Sequence, residues 1–442
     1  MQLNRMKLTL MVAAALGAGG CSILKRSSPA TPVLGERVAV LTSETDVMVD
    51  PAAASLPLSL PAPVTNTDWA QSGGNAAKSM GHVALGGTLA RVWSASIGQG
   101  TSLTARLGAA PVVGGGRVYT IDASATVRAF DAQTGGAVWQ AQFGREKGND
   151  ASLFGGGLAY ADGRIYAANG LGFVAALDAA SGALAWQVRP GGPLRGSPTV
   201  DGGAVYVISQ DNQIYSLKAE NGATNWSQAA SLEIAGVFGT ASPAVAQGTV
   251  VAGFSSGELN AYRYENGRTV WQDALARTSI RTSVSSLSDI DADPVIDGGQ
   301  VIAIGQGGRM VALELISGQR MWELNVAGIS TPWVAGEWIF AVTDDAKLIA
   351  VARATGKIRW ISQLQQFRNE KKKTGPIRYS GPVLAGNRLV LTRTSGQLVI
   401  ADPTSGNVLG GTSIGASVSL PPVVANSTLY LLDDDGRLHA FR

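Results

Sequence analysis

Cysteine is almost missing from this chain of 442 residues: Cys21 is the only one. An intrachain disulfide is excluded, and so is a metal site built from several thiolates. Histidine is nearly as scarce, with His82 and His439 at opposite ends of the sequence. Closure of the chain ends would bring them closer, but a metal centre needs several placed ligands and a supporting shell. Charged residues make up 15% of the chain, with a formal net charge of +3. Residues 1–20 hold Arg5, Lys7 and no acid, so without them the formal charge falls from +3 to +1. Such a chain has no global field of the kind that drives nucleic-acid binding.

Glycine, by contrast, is abundant at 56 residues, and much of it recurs in one phrase. A hydrophobic residue leads into a short turn ending in Gly, and Trp follows four residues after that Gly. The copies are Phe130…Gly135…Trp139, Leu177…Gly182…Trp186, Leu217…Gly222…Trp226 and Tyr262…Gly267…Trp271. Then come Leu313…Gly318…Trp322 and Val351…Gly356…Trp360. A worn seventh copy, Ala401…Gly406, has Gly410 at the Trp position. Successive Trp residues lie 47, 40, 45, 51 and 38 residues apart, close to the roughly 40–45 residues of a four-stranded propeller blade.

A second phrase, usually opened by Pro, precedes each hairpin. It runs from Pro111, Pro198, Pro243, Pro294, Pro332, Pro382 and Pro422, with a weaker copy at Leu158. That makes eight. Short runs of Val, Ile and Tyr bounded by Gly and Asn read as strands. The repeated Gly supplies the positive φ of a tight turn, and the Trp reads as an apolar wedge between neighbouring blades. The fold expected is all-β: an eight-bladed β-propeller of four-stranded antiparallel blades.

The ends complete each other. Leu438-His439-Ala440-Phe441 looks like a third strand with no Gly–Trp strand to follow. Leu89-Ala90-Arg91-Val92-Trp93 looks like a Gly–Trp strand with no blade before it, 46 residues ahead of Trp139. The N-terminal strand is therefore expected to complete the last blade and close the ring, which protects sheet edges.

Three segments are expected: a signal peptide over 1–20, a tether over 21–68 and the propeller over 69–442. Arg5 and Lys7 precede an apolar stretch from Leu8 to Ala18, too short to remain as a membrane span. Ala18-Gly19-Gly20-Cys21 resembles the bacterial lipoprotein cleavage box, although Leu is usual where Ala18 stands. The resemblance implies lipidation of Cys21, and Ser22 after it implies sorting to the outer membrane, facing the periplasm. Pro29, Pro32, Pro51, Pro57, Pro61 and Pro63 among Ala and Ser give 21–68 the composition of a tether. The one basic run, Arg368 to Lys373 around Lys371, reads as a solvated loop.

Catalysis has little support. Ser and Asp fall in turn positions, and Asp433-Asp434-Asp435-Gly436 lacks the ligand spacing of a calcium loop. The Gly–Trp repeats resemble those of the quinoproteins, whose eight-bladed propellers bind pyrroloquinoline quinone. That resemblance implies a quinone-dependent periplasmic dehydrogenase as one reading. The chain lacks the adjacent cysteine pair common in the alcohol dehydrogenases of that family, and no catalytic, cofactor or metal residues are assigned.

Signal, tether and eight blades together are similar to the BamB family, lipoprotein propellers of the outer-membrane β-barrel assembly machinery. Leu287-Ser288-Asp289-Ile290-Asp291-Ala292-Asp293-Pro294 resembles that family's Leu-Ser-Asp-x-Asp-x-x-Pro loop. The resemblance implies a non-catalytic scaffold that docks the POTRA domains of BamA, with Leu287, Asp289 and Asp291 at the partner surface. Asp also caps turns through backbone amides, and both roles stay open. One blade earlier, where family members carry Leu-x-Leu-Arg-Gly, this chain has Ala235-Gly236-Val237-Phe238-Gly239. Val237 and Phe238 are expected to make an apolar contact there, because Phe replaces the Arg. Unfolded outer-membrane protein precursors are a further expected partner. A propeller that binds envelope protein or glycan is the remaining alternative.

Overall fold

Residues 47–149, 152–232, 241–275 and 288–442 are described by a computed structural model. Among them the chain forms eight four-stranded antiparallel sheets and one two-stranded hairpin. The first blade comprises Val112–Gly114, Arg117–Ile121, Thr126–Asp131 and Ala137–Gln142. Six more follow as meanders over 158–188, 199–229, 244–274, 295–324, 333–363 and 379–413. The eighth combines Val423–Ala425, Thr428–Leu432 and Arg437–Phe441 with the N-terminal strand Arg91–Ser96. Trp93 pairs with Ala440 and Ser94 with His439, so the ring closes as the sequence predicts.

The repeated turn works the same way in each blade. In the first, the Asp131 carboxylate accepts from the backbone N–H groups of Gln133 and Thr134 and from the Thr134 hydroxyl. Gly135 then takes φ +73°, a conformation costly for residues with a Cβ. Each Trp of the repeated phrase, and Trp93, reaches the next blade. The indole N–H of Trp139 donates to the Ala179 carbonyl at 3.0 Å, and Trp186, Trp226, Trp271, Trp322, Trp360 and Trp93 repeat that bond at 2.7–3.3 Å. The ring of each also lies on the turn Gly of that next blade; a Cβ on Gly182 would sit 2.6 Å from the Trp139 ring. The wedge is thus both apolar filler and hydrogen-bond donor.

One seam lacks it, between the seventh and eighth blades, where Gly410 takes the Trp position. The eighth blade has no turn to receive an indole there, because its third and fourth strands come from opposite chain ends. Ala90 and Arg442 instead exchange backbone hydrogen bonds at 2.8 and 3.0 Å. The Arg388 guanidinium of blade seven donates to the Gly86 and Gly87 carbonyls. The worn repeat has a structural cause.

Residues 47–68, read from composition as tether, lie along this propeller. A short helix, α1 (Pro51–Ser55), is capped by Asp50, whose carboxylate accepts from the Ala52 and Ala53 N–H groups. Asp50 N–H donates to Ile358 O at 2.9 Å, and Arg359 donates to the Ala53, Ala54 and Leu56 carbonyls. Proline-rich chain cannot pair as a regular strand, yet its carbonyls still accept from an arginine fork. The basic run also acquires order: Phe367–Asn369 pairs with Thr374–Pro376, leaving Lys371, Lys372 and Lys373 exposed at the tip.

Candidate docking face and central pit

In an antiparallel meander, alternate connections fall on opposite faces of the ring. The short turns after the first and third strands share one face. The longer connections between blades, with the turns between second and third strands, share the other. Asp289 and Asp291 lie on this loop face, just before the innermost strand of blade five. Leu287, Val237 and Phe238 belong to the same pair of loops and lie outside the described residues.

Asp289 is not presented to solvent. Its side chain is 1% exposed, and Asp291 is 9% exposed. Both are held by Arg195, from the loop before blade three, whose Nη2 lies 3.0 Å from Asp289 and 3.4 Å from Asp291. The clasp therefore reaches from blade three to blade five, over blade four. Burial pushes the Asp291 carboxyl up to about 7; nearby Asp289 adds to this and Arg195 opposes it. Sequence reasoning missed Arg195, which sits in an unremarked Leu194-Arg195-Gly196 turn with no local acid to mark it.

Asp293, two residues further on, is buried as well. It accepts from Ser72 Oγ and from the Ser242 N–H at 2.7 Å. Desolvation raises its pKa, while the charge of nearby Lys78 acts against the rise. Lys78 is itself 2% exposed and donates to Thr199 Oγ1 at 3.0 Å. Desolvation lowers its pKa to about 8, so it stays mainly cationic at neutral pH. The two groups offset each other's charge inside the ring.

Lys78 and Ser72 belong to a segment that contacts all eight blades. Asn66 bonds to Val424 and Asn426 of the eighth blade. Trp69 exchanges two backbone bonds with Val113 of the first, and Ala70 O accepts from Tyr160 of the second. The Gln71 amide pairs with both backbone groups of Val200 in the third. Ala76 and Ala77 accept from Val245 and Ile296 in the fourth and fifth. Gly81 O accepts from the Trp333 indole of the sixth, and Val83 bonds to Leu384 and Gly386 of the seventh. The innermost strand of a blade has an unpaired edge facing the channel. This belt satisfies part of each.

Most of these contacts fall next to the turns after the innermost strands, so the belt closes the short-turn end of the channel. On the loop face the channel remains open as a pit of about 260 Å³. Trp69, Gln71, Ser72, Gly73 and Lys78 form its floor, with the Trp69 and Trp333 rings stacked 5.9 Å apart. Asp291 and Asp293 line it on one side.

The remaining candidates resolve as structural groups. His82 Nε2 accepts from the Asn387 N–H at 2.9 Å, and its Nδ1 lies 2.7 Å from Pro61 O. His439 pairs with Asp433 at 2.8 Å. Asp433 also accepts from the Arg437 N–H, and Asp434 accepts from the Ser417 and Ser419 hydroxyls. Turn chemistry accounts for these acids. Among the described residues no cluster of three metal-ligating side chains occurs.

Ring, wedges and closing strand define a quinoprotein-like repeat propeller, and solved structures share that fold. BamB from Moraxella catarrhalis superposes with a TM-score of 0.68 at 19% identity, over 80% of this chain and 100% of that one. A quinohemoprotein alcohol dehydrogenase from Comamonas testosteroni superposes with a TM-score of 0.66 at 14% identity, over 85% and 80%. At those identities the likeness is one of fold alone. Sequence goes further: the family profile described as "Outer membrane protein assembly factor BamB" matches residues 75–153 and 123–362. The protein of that name from Yersinia pestis is 28% identical over 357 residues, covering 79% of this chain and 88% of the relative. That from Burkholderia pseudomallei is 28% identical over 366 residues, covering 80% and 87%. The chain belongs to the BamB family of outer membrane protein assembly factors.

Proposed function

We propose that this chain is a non-catalytic scaffold for outer-membrane protein assembly, tethered to the outer membrane through a lipid on Cys21 and docking the POTRA domains of BamA. Membership of the BamB family supports the assembly role. The signal-like segment over 1–20 and the tether that follows support the anchor.

The observation that carries the docking reading is the Arg195 clasp. A guanidinium drawn from two blades away holds the two acids ahead of blade five. Breaking such a buried pair by removing one partner is strongly destabilising, so Asp289 and Asp291 are held firmly ahead of blade five. Asp289 and Asp291 then act by positioning the loop, while Leu287, Val237 and Phe238 supply apolar contact. Aromatic anchors of this kind commonly dominate interface energies.

The test is affinity capture of purified POTRA domains on the full-length chain in mild detergent. Replacing Phe238 and Leu287 by Ala should weaken capture while leaving the circular dichroism melt unchanged. Capture unaffected by both changes would move the interface off these loops. Retention of an absorbing quinone after dialysis would instead favour an enzyme.

A further inference from the structure

The pit is blind, because the belt closes its far end. A ligand that threads a ring needs two openings; a blind pit takes a small molecule or the end of a chain. Its rim and walls select among these. Arg106 and Arg378 line the pit and are solvent-exposed. The facing acids are largely committed: Asp293 is offset by Lys78, and Asp291 is held by Arg195. Asp344, near Arg378, is an exposed carboxylate that does not line the pit. Among the charged groups that line the pit, the free charge is therefore positive.

The walls add two further requirements. Pro111, Pro382, Pro421 and Pro422, with Val423, give an apolar surface without backbone N–H donors at the prolines. Gln306 lines the same pit, and its Oε1 is buried without a hydrogen-bond partner. A buried acceptor left unmet is costly, and this one asks for an N–H donor. Carboxylate, N–H and a compact apolar side chain occur together at the C-terminus of a polypeptide.

We propose that the pit receives the C-terminal residue of an extended polypeptide. Its carboxylate is held by Arg106 and Arg378, its last N–H donates to Gln306 Oε1, and its side chain lies against the prolines. The inference concerns the central pit and does not depend on POTRA docking.

Isothermal titration of the full-length chain in mild detergent tests it, with no BamA present. The probes are N-acetyl-Ala-Ser-Ala-Leu with a free carboxylate and the same peptide as its C-terminal amide. Charge-assisted bonds to the carboxylate should make the acid bind roughly tenfold more tightly than the amide. The double variant Arg106→Ala, Arg378→Ala should erase that preference with an unchanged melt, since both side chains are exposed. Gln306→Leu should weaken acid and amide alike. Equal binding of the two peptides, no binding of either, or a preference that survives the Arg changes would overturn the proposal. So would displacement of the peptide by acetate at comparable concentration, since acetate has neither N–H nor side chain.

Discussion

Arg195 and Asp289 meet at 3.0 Å although 94 residues separate them in sequence, and blades three and four lie between the loops that carry them. Sheet hydrogen bonds run within blades, so a buried ion pair that spans blades couples parts of the ring that no sheet connects. Arg195→Met should lower stability by about 3–5 kcal/mol, the usual effect of removing one partner of a buried ion pair. Denaturant unfolding measures this, and a loss below about 1 kcal/mol would show that the acids find other partners. The same variant should weaken POTRA capture through the loop.

Asp291 makes stability depend on pH. Its carboxyl is pushed up to about 7 in the folded ring from an ordinary value near 3.8. The folded state thus holds a proton that the unfolded chain has released, and stability falls as pH rises from about 4 through about 7. The melting temperature should be lower at pH 8 than at pH 6, by on the order of a few degrees. Asp291→Asn should flatten that slope, and an equal slope in the variant would assign it to other groups.

The turn glycines differ in a way that two substitutions separate. Gly182 and Gly203 have φ of +76° and +77°, but only Gly182 has the Trp139 ring where its Cβ would go; nothing lies within 4 Å at Gly203. Gly203→Ala should cost only the backbone strain, about 1–2 kcal/mol. Gly182→Ala should add about 1–3 kcal/mol for displacing the indole. Equal losses at the two sites would mean that the wedge contributes little.

The belt should appear in amide exchange. Val113, Val245 and Ile296 donate their N–H groups to Trp69, Ala76 and Ala77, and no neighbouring strand lies on that edge. Trp69→Ala should speed exchange at Val113 and lower stability by about 3–5 kcal/mol, the range for emptying a large buried aromatic site. Protection at these three amides equal to that of solvent-facing edges would show that the belt detaches readily.

Blade count, turn glycines, Trp wedges and the closing role of Trp93 were all legible, because each rests on local chemistry repeated at a regular period. Gly410 could be read as a lost Trp, but its reason is the missing turn where Ala90 meets Arg442, which only the closed ring reveals. The belt was not legible. Residues 66–86 carry no repeat, and their partners lie in every blade, so no spacing announces them. Part of the segment between Pro51 and Pro63 read as tether because proline removes strand patterning, although its carbonyls are bound by Arg359. Arg195 and Lys78 escaped notice for a related reason: the groups that give a buried charge its meaning are far away in sequence.

The place where residues 47–56 leave the ring also sets a direction of pull. Asp50 and α1 are fastened beside Lys357 and Arg359, at the short-turn rim of blade six. Any load carried by the chain before Val47 is delivered at that rim. Under the anchoring proposed above, a ring held there would turn its blind end toward the anchor and its open bowl away from it. Both the clasped acids and the pit mouth would then lie on the side away from the proposed anchor.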